Sequence, residues 1–121
     1  MDLLPSVDID PDGKFKYVQI LVKDGEGRER YLVRGYKRAA FHADVLEHAE
    51  EKELKPLKKQ DAGISWRCPG GGRIRHNARD RTILIYGYSQ GFGRPDHSIS
   101  CDLVRERYPD YASIEWSNEG Y

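Results

Sequence analysis

The sequence predicts a single α+β (or α/β) domain over residues 1–121, in which two α-helices flank a mixed β-sheet. A chain of 121 residues is long enough for one hydrophobic core and too short for two independent ones. Five segments have the alternation or the β-branched and aromatic composition of strands, and two have helical spacing. Their order, β-β-α-β-β-α-β, is typical of a mixed sheet that packs against helices.

The first half of the chain predicts a β-hairpin followed by a helix. Residues 15–23, FKYVQILVK, and residues 30–36, RYLVRGY, predict two strands joined by the polar loop DGEGRE. Residues 38–54 change to helical spacing and are rich in Ala, Leu, Glu and Lys, so they predict a helix. Pro56 is expected to end that helix because proline has no backbone N–H to donate.

The second half predicts two further strands around a second helix. Residues 81–88, RTILIYGY, have the strongest strand composition in the chain. A helix is expected to begin near Ser98 or Ser100, since either hydroxyl could cap it, and to end before Pro109. Residues 111–117, YASIEWS, predict the last strand.

Composition and charge exclude several classes of protein. The 20 basic and 20 acidic residues cancel, whereas a domain that binds nucleic acid usually carries a basic excess. Cys68 and Cys101 are too few for a disulfide scaffold and lack the spacing of a metal site. No apolar run is long enough for a signal peptide or a membrane span, so a reducing cytoplasm is expected. No apolar stripe demands a partner subunit, and a monomer is expected.

The N-terminal residues 1–13 are polar and end in the turn signal DPDG. The run D-I-D-P-D-G matches the opening of a calcium-binding EF-hand loop. The position of the final bidentate ligand is Gln19, which is neutral, and a strand follows where a helix would be required. A surface turn is therefore expected, not a calcium site.

The segment WRCPGGGRIRH at residues 66–76 follows a strand predicted over residues 62–68. A cysteine phosphatase spaces its nucleophile and its arginine as C-x5-R, but position 74 is Ile and the arginines fall at 73 and 75. A Walker loop is excluded because no G-K-[ST] ends the glycine run. The glycines therefore predict a tight turn with positive φ between strands, beside which Arg73 could still face a site.

Two segments carry candidate chemistry. Val45, Leu46 and Ala49 follow His42 at helical spacing, which predicts that His42 lies on the inner face of its helix. A histidine that only packs in the core is one interpretation of this position. A helix N-terminus disfavours a cation, so a neutral imidazole is expected, and a general base or a nucleophile requires that state. The glycine-rich run Y-G-Y-S-Q-G-F-G at residues 86–93 could turn N–H groups inward to bind an anion, or form a simple hairpin turn.

The remaining histidines are weaker candidates. His48 follows Asp44 by four residues on the same helix, which predicts a surface pair. His76 and His97 flank the candidate site segments, and we expect both to be solvated loop residues, although they could line a cleft.

Five stretches together resemble the protein histidine phosphatases of the Janus/phosphohistidine phosphatase type. These stretches are VDIDPDGKFKYVQI, VRGYKRAAFHAD, CPGGGRIRH, YGYSQGFG and YPDYASIEWSNEGY. They occur in the family's order and cover nearly the whole chain. The sequence departs from the family pattern mainly at residues 24–28, at residues 46–60 and at QGF in the glycine-rich loop.

The resemblance implies a mixed sheet flanked by two helices and hydrolysis of phosphohistidine in other proteins, with phospholysine as a second candidate substrate and no metal cofactor. The family's catalytic histidine, in H-A-D, matches His42, and its substrate-binding lysine, in F-K-Y, matches Lys16. Its phosphate-binding loop matches Ser89, Gln90 and Gly91, of which the last two would act through backbone N–H groups.

Additional candidates near the site are Arg34 and Arg73, which match family arginines, and Tyr88 in the same loop as Ser89. The role of His42 stays open between a general base that activates water and a nucleophile that attacks phosphorus. A non-enzymatic module that binds phosphoproteins through the same anion site is the alternative function.

Overall fold

The chain forms six strands and two helical segments in a computed structural model, which describes residues 1–120. The strands are β1 Val7–Ile9, β2 Gly13–Lys23, β3 Glu29–Tyr36, β4 Ser65–Asn77, β5 Thr82–Tyr86 and β6 Ser113–Trp116. The first helical segment comprises α1 His42–Ala49, a π-helical stretch Glu50–Leu54 and α2 Lys55–Gln60, and the second is α3 His97–Arg107. Among the described residues, no helix is long and apolar enough to cross a membrane.

All six strands belong to one mixed sheet in the order β1-β3-β2-β4-β5-β6. The central pairings of β2 with β3, β2 with β4 and β4 with β5 are antiparallel, while the edge strands β1 and β6 pair in parallel. The predicted α+β class, the hairpin and the two flanking helical layers are thereby confirmed. The register places Lys16 of β2 opposite Arg73 of β4, near the middle of the sheet.

Two hydrophobic clusters, one on each face of the sheet, hold the layers together. Alternation along β2 sends Val18, Ile20 and Val22 to the face covered by the first helical segment and sends Phe15 and Tyr17 to the face covered by α3. All five side chains are buried. The candidate residue Lys16 of β2 is therefore positioned by a strand that is anchored on both of its faces.

The first helical segment begins and ends later than its pattern predicts. It was expected over residues 38–54, with Pro56 as its end, but α1 starts at His42 and α2 continues to Gln60. The π-helical stretch directly precedes α2, and Pro56 falls in the first turn of α2. A missing N–H costs little there, so the proline is accommodated instead of ending the segment.

The second helix also begins earlier than expected. Asp96 is its N-cap and accepts a hydrogen bond from the backbone N–H of Ser98 at 3.0 Å, so neither Ser98 nor Ser100 caps the helix. Residues 7–9, which belong to the polar N-terminal segment, form the short edge strand β1. A strand of three residues that pairs with one neighbouring strand is too short for its alternation to be recognised in the sequence.

The predicted glycine turn at Gly70–Gly72 is wrong, because these residues lie inside β4 and none of them has a positive φ. A Cβ atom at Gly71 would lie 2.5 Å from the carbonyl oxygen of Tyr17, and one at Gly72 would lie 2.2 Å from that of Tyr86. A real side chain does not tolerate such distances to backbone atoms. The glycines are thus required for close approach in the middle of the sheet, not for a turn.

Gly72→Ala is expected to destabilise the fold by about 2 kcal/mol, because the added methyl group must displace backbone on a buried strand. Gly91→Ala is the matched control, since nothing among the described residues lies within 4 Å of a Cβ atom there and its φ is not positive. Urea unfolding followed by circular dichroism measures both variants. Equal midpoints for the two variants would contradict this account of the strand.

Candidate functional site

A cavity of about 500 Å³ opens where the start of α1, the strands β2 and β4 and the loop after β5 meet. Its walls contain Lys16, Ala40, Phe41, His42, Ala43, Arg73, Tyr88, Ser89, Gln90, Gly91 and Phe92. Seven of the eight candidate residues thus come together although 75 positions separate the first from the last. Arg34 is the exception.

Arg34 lies on another part of the sheet and has a structural role. Its side chain is fully buried and forms a bidentate ion pair with Glu53, at 2.7 and 2.8 Å. It also donates to the carbonyl oxygens of Pro5 and Val33. The geometry therefore ties the N-terminal residues to the first helical segment through Arg34 and does not bring it to the cavity.

His42 is the first residue of α1, and two contacts fix it there. The carboxylate of Asp44 accepts the backbone N–H of Phe41 at 3.0 Å, which holds the start of the helix. The imidazole Nε2 lies 2.8 Å from the carbonyl oxygen of Gly72. Since a carbonyl only accepts, Nε2 must carry the proton, and in the neutral ring the lone pair is on Nδ1.

The surroundings of His42 keep its imidazole neutral. Its pKa is lowered first by partial burial, which disfavours the charged form, and further by the positive charges of Lys16 and Arg73. The hydrogen bond to Gly72 acts in the opposite direction but does not reverse the shift. The lowered pKa of His42 agrees with the neutral imidazole expected at the helix N-terminus, and burial is the main cause of the shift.

The loop after β5 is held by its own hydrogen bonds. Ser89 and Gly93 exchange backbone hydrogen bonds at 3.1 and 2.7 Å, and the Ser89 hydroxyl oxygen accepts the N–H of Phe92 at 3.1 Å. The backbone N–H groups of Gln90 and Gly91 make no hydrogen bond within residues 1–120. Two adjacent donors are thus presented at the tip of a closed loop, which suits an anion.

Both ends of this loop are anchored to neighbouring elements. The carbonyl oxygen of Gly93 accepts the N–H of Gly71 at 3.1 Å. The carbonyl oxygen of Gly87 accepts Nε2–H of His97 at 2.7 Å. Gly87 and Gly93 have φ values of 80° and 91°, which explains why glycine stands at both bends.

His97 was expected in a solvated loop but is the buried first residue of α3, only 1% exposed. Its Nδ1 accepts the hydroxyl of Tyr17 at 2.6 Å. The Tyr17 hydroxyl also contacts Ser100, whose oxygen accepts the side-chain amide of Gln19 at 2.9 Å. His97 therefore links the loop at Gly87 to β2 through a buried polar network, and burial lowers its pKa.

The other two histidines also differ from their predicted places. His76 is 2% exposed on β4, where it contacts the carbonyl oxygen of Asp10 and the hydroxyl of Tyr111. The rings of His48 and Tyr36 pack in a T-shaped arrangement with their centres 4.7 Å apart. The carboxylate of Asp44, the predicted partner of His48, instead accepts the backbone N–H of Phe41 at the start of α1. None of these contacts reaches the cavity.

The cysteine of the WRCPGGG stretch does not act as a nucleophile in this arrangement. Cys68 lies on β4 and packs against the cluster under the first helical segment. Burial, and to a lesser degree the charge of Glu50, raises the pKa of the Cys68 thiol to about 11. The thiol is protonated at neutral pH, which agrees with the exclusion of a cysteine phosphatase.

The sequence patterns missed the apolar part of the cavity and the support of its loop. Phe41 and Phe92 line the cavity, and Phe41 is 69% exposed although it is large and apolar. An aromatic residue directly before His42 was visible in the sequence, but nothing local marked it as exposed. Among the residues described, no group of three or more His, Cys, Asp or Glu side chains is placed to hold a metal ion.

Comparison with known proteins gives one consistent result. A model of the Janus/Ocnus family (Ocnus) matches residues 1–112. The chain is 44% identical over 124 residues to the 14 kDa phosphohistidine phosphatase of Sus scrofa, covering 98% of this chain and 93% of that protein. The Homo sapiens protein of the same name is 42% identical over 125 residues, covering 98% and 94%. The sex-regulated protein janus-A of Drosophila melanogaster is 45% identical over 118 residues, covering 98% and 82%.

The pKa of His42 is expected to lie below that of an ordinary histidine and to rise in Lys16→Ala, because a neighbouring cation that disfavours the imidazolium is removed. Titration of the imidazole resonances by NMR measures both proteins. Lys23→Ala, at the far end of the same strand, is the control and should leave the midpoint unchanged. A lower His42 midpoint in Lys16→Ala would contradict the assignment.

Proposed function

The chain belongs to the Janus/Ocnus family, and from this premise we propose that it is a protein phosphatase that hydrolyses phosphohistidine in other proteins. The observation that carries the proposal is a neutral His42, with Nδ1 unprotonated, in one cavity with two cations and two backbone N–H donors. Relatives named phosphohistidine phosphatase support the same substrate. Phospholysine, which has the same P–N bond, is a second candidate substrate.

The phosphoryl group is proposed to bind at the tip of the glycine-rich loop. The N–H groups of Gln90 and Gly91 and the hydroxyl proton of Ser89 supply donors, while Lys16 and Arg73 supply positive charge. Phosphoryl transfer depends mainly on positioning and on stabilising charge at the equatorial oxygens. These groups provide both, and the proposal therefore includes no metal cofactor.

His42 is proposed to act as a general base through Nδ1. That atom takes a proton from a water molecule, the water oxygen bonds to phosphorus, and the P–N bond breaks. The leaving imidazole nitrogen of the substrate keeps the bonding electron pair and is protonated from solvent. One histidine suffices for this reaction, and Phe41 and Phe92 supply apolar walls for the substrate's imidazole ring.

The proposed setting is a monomer in the cytoplasm. A reducing compartment agrees with Cys68 and Cys101, which are both free thiols. The nucleophilic alternative uses the same Nδ1 atom to attack phosphorus and would leave a phosphate on His42. Rapid quench with a radiolabelled substrate separates the two: acid-labile label on the protein indicates the nucleophile, and its absence indicates the base.

His42→Ala is expected to lower the rate of phosphate release from chemically phosphorylated polyhistidine by about 10²- to 10⁴-fold, the usual contribution of a general base. Binding of the substrate should be largely retained, because the anion site remains. His48→Ala is the matched control, because His48 is a partly buried histidine of the same helix that packs against Tyr36 and does not line the cavity. Reactions are run in parallel with and without EDTA, and all are corrected for the uncatalysed hydrolysis.

Each outcome of that experiment has one meaning. Wild-type turnover in His42→Ala would overturn the role of His42. Binding without any turnover by the wild-type protein would indicate a phosphoprotein-binding module instead of an enzyme. Turnover that disappears with EDTA would indicate a metal enzyme.

Lys16→Ala is expected to raise KM for phosphorylated polyhistidine by roughly ten- to a hundredfold, the range for one lost charge-assisted hydrogen bond. The effect on kcat should be smaller, because His42 remains in place. Lys23→Ala has the same change of charge on the same strand and should behave as wild type. An unchanged KM in Lys16→Ala would show that the lysine does not bind the phosphate.

A further inference from the structure

Four basic side chains form a compact block on β2 and β4 beside the cavity. Lys16 lies directly opposite Arg73, and Lys14 lies directly opposite Arg75. The first two line the cavity and are called the inner pair; Lys14 and Arg75 are called the outer pair. All four share one face of the sheet, because the intervening Phe15 and Ile74 belong to the core under α3 and side chains alternate along a strand.

The block places like charges side by side on neighbouring strands. Like charges directly opposite each other on neighbouring strands destabilise a sheet. Within residues 1–120, the ion pairs include none to Lys14, Lys16 or Arg75. Glu115 of β6 is in register with Arg75 but lies two strands away. Two strand spacings put about 10 Å between the backbones of these residues.

The outer pair is accessible. The first helical segment covers the part of β2 that contains Val18, Ile20 and Val22 and leaves the other end of the strand open. Lys14 and Arg75 are both exposed, and the guanidinium of Arg75 lies 5.8 Å from the ring centre of Tyr86. The chain as a whole has no net charge, so the excess of positive charge at this block, which adjoins the cavity through Lys16 and Arg73, is a local feature.

The spacing of the two pairs fits an extended peptide. Residues two positions apart on a strand are about 7 Å apart, and alternate side chains of an extended peptide have the same separation. A peptide that places its phosphohistidine at the inner pair therefore brings the side chain two positions away to the outer pair.

We propose that Lys14 and Arg75 dock an acidic side chain two residues from the phosphohistidine, so that the substrates are phosphohistidine segments flanked by Asp or Glu. This inference rests on the proposed function. The outer pair lies outside the cavity, so it contributes to the choice of substrate and to its encounter rate, not to the chemical step.

Synthetic phosphohistidine peptides test the inference. Three peptides are compared: one with neutral flanks, one with Glu two residues before the phosphohistidine, and one with Glu two residues after it. We expect wild type to favour one acidic peptide over the neutral one in kcat/KM. Lys14→Gln/Arg75→Gln should lose that preference, by roughly three- to tenfold for two exposed charges, and keep wild-type activity on the neutral peptide.

The matched control is Lys52→Gln/Lys59→Gln, which removes two exposed charges from the first helical segment. It should keep the preference for the acidic peptide. A charge-reversed variant, Lys14→Glu/Arg75→Glu, should instead favour a peptide with Lys at the same position. The preference in wild type should also weaken at high ionic strength.

Fluorescence anisotropy of labelled peptides on the His42→Ala background measures binding separately from turnover. If wild type hydrolyses none of the peptides, the proposed function fails. The docking surface is still supported if acidic and neutral peptides differ in Kd and this difference depends on the outer pair. Equal Kd values for the three peptides, or an equal loss in the control variant, would overturn it. The inference would also be overturned if a single-stranded oligonucleotide displaced the labelled peptide at a lower concentration than the unlabelled acidic peptide does. That result would indicate a surface that binds nucleic acid.

Discussion

The close approach that Gly71 and Gly72 permit on β4 is the constraint on which the rest of the site depends. On one face of the sheet, the imidazole of His42 lies against Gly71, where a Cβ atom would be 2.8 Å from the ring carbon Cδ2, and reaches the carbonyl oxygen of Gly72. On the other face, a Cβ atom at Gly72 would lie 2.9 Å from the ring of His97. The candidate catalytic histidine and the histidine that holds the loop thus both touch one short piece of strand, from opposite faces.

The proposed function adds a second constraint, which is that the site is positively charged and yet contains an unprotonated histidine. The cations that would attract a phosphoryl group also lower the pKa of His42, so one arrangement satisfies both requirements. The hydrogen bond to Gly72 then decides which nitrogen keeps the proton. Lys16 contributes to charge and to pKa from the strand next to β4, which explains why its place in the register matters.

The buried polar network around His97 supports the loop after β5. Within residues 1–120, no buried side-chain nitrogen or oxygen lacks a hydrogen-bond partner. The buried polar atoms of Tyr17, Gln19, His97 and Ser100 hydrogen-bond to one another in this network. A fully satisfied network in a low-dielectric interior is rigid, whereas a partly satisfied one is costly. It connects the core strand β2 to the carbonyl oxygen of Gly87, two residues before Ser89.

The sequence by itself determined the local features of this protein. Alternation together with β-branched and aromatic composition located β2, β3, β5, β6 and the first residues of β4. Helical spacing placed His42 on the inner face of α1, and the motif order indicated Lys16 and the loop at Ser89. Only the tertiary structure decided that the glycine run is a strand, that His97 is buried and that Arg34 lies away from the cavity. The physical reason is that periodicity encodes which face of an element is buried, a property of neighbours along the chain. The close contacts of β4 and the partners of buried polar groups depend on residues from distant elements, which meet only when the sheet and its two helical layers pack together.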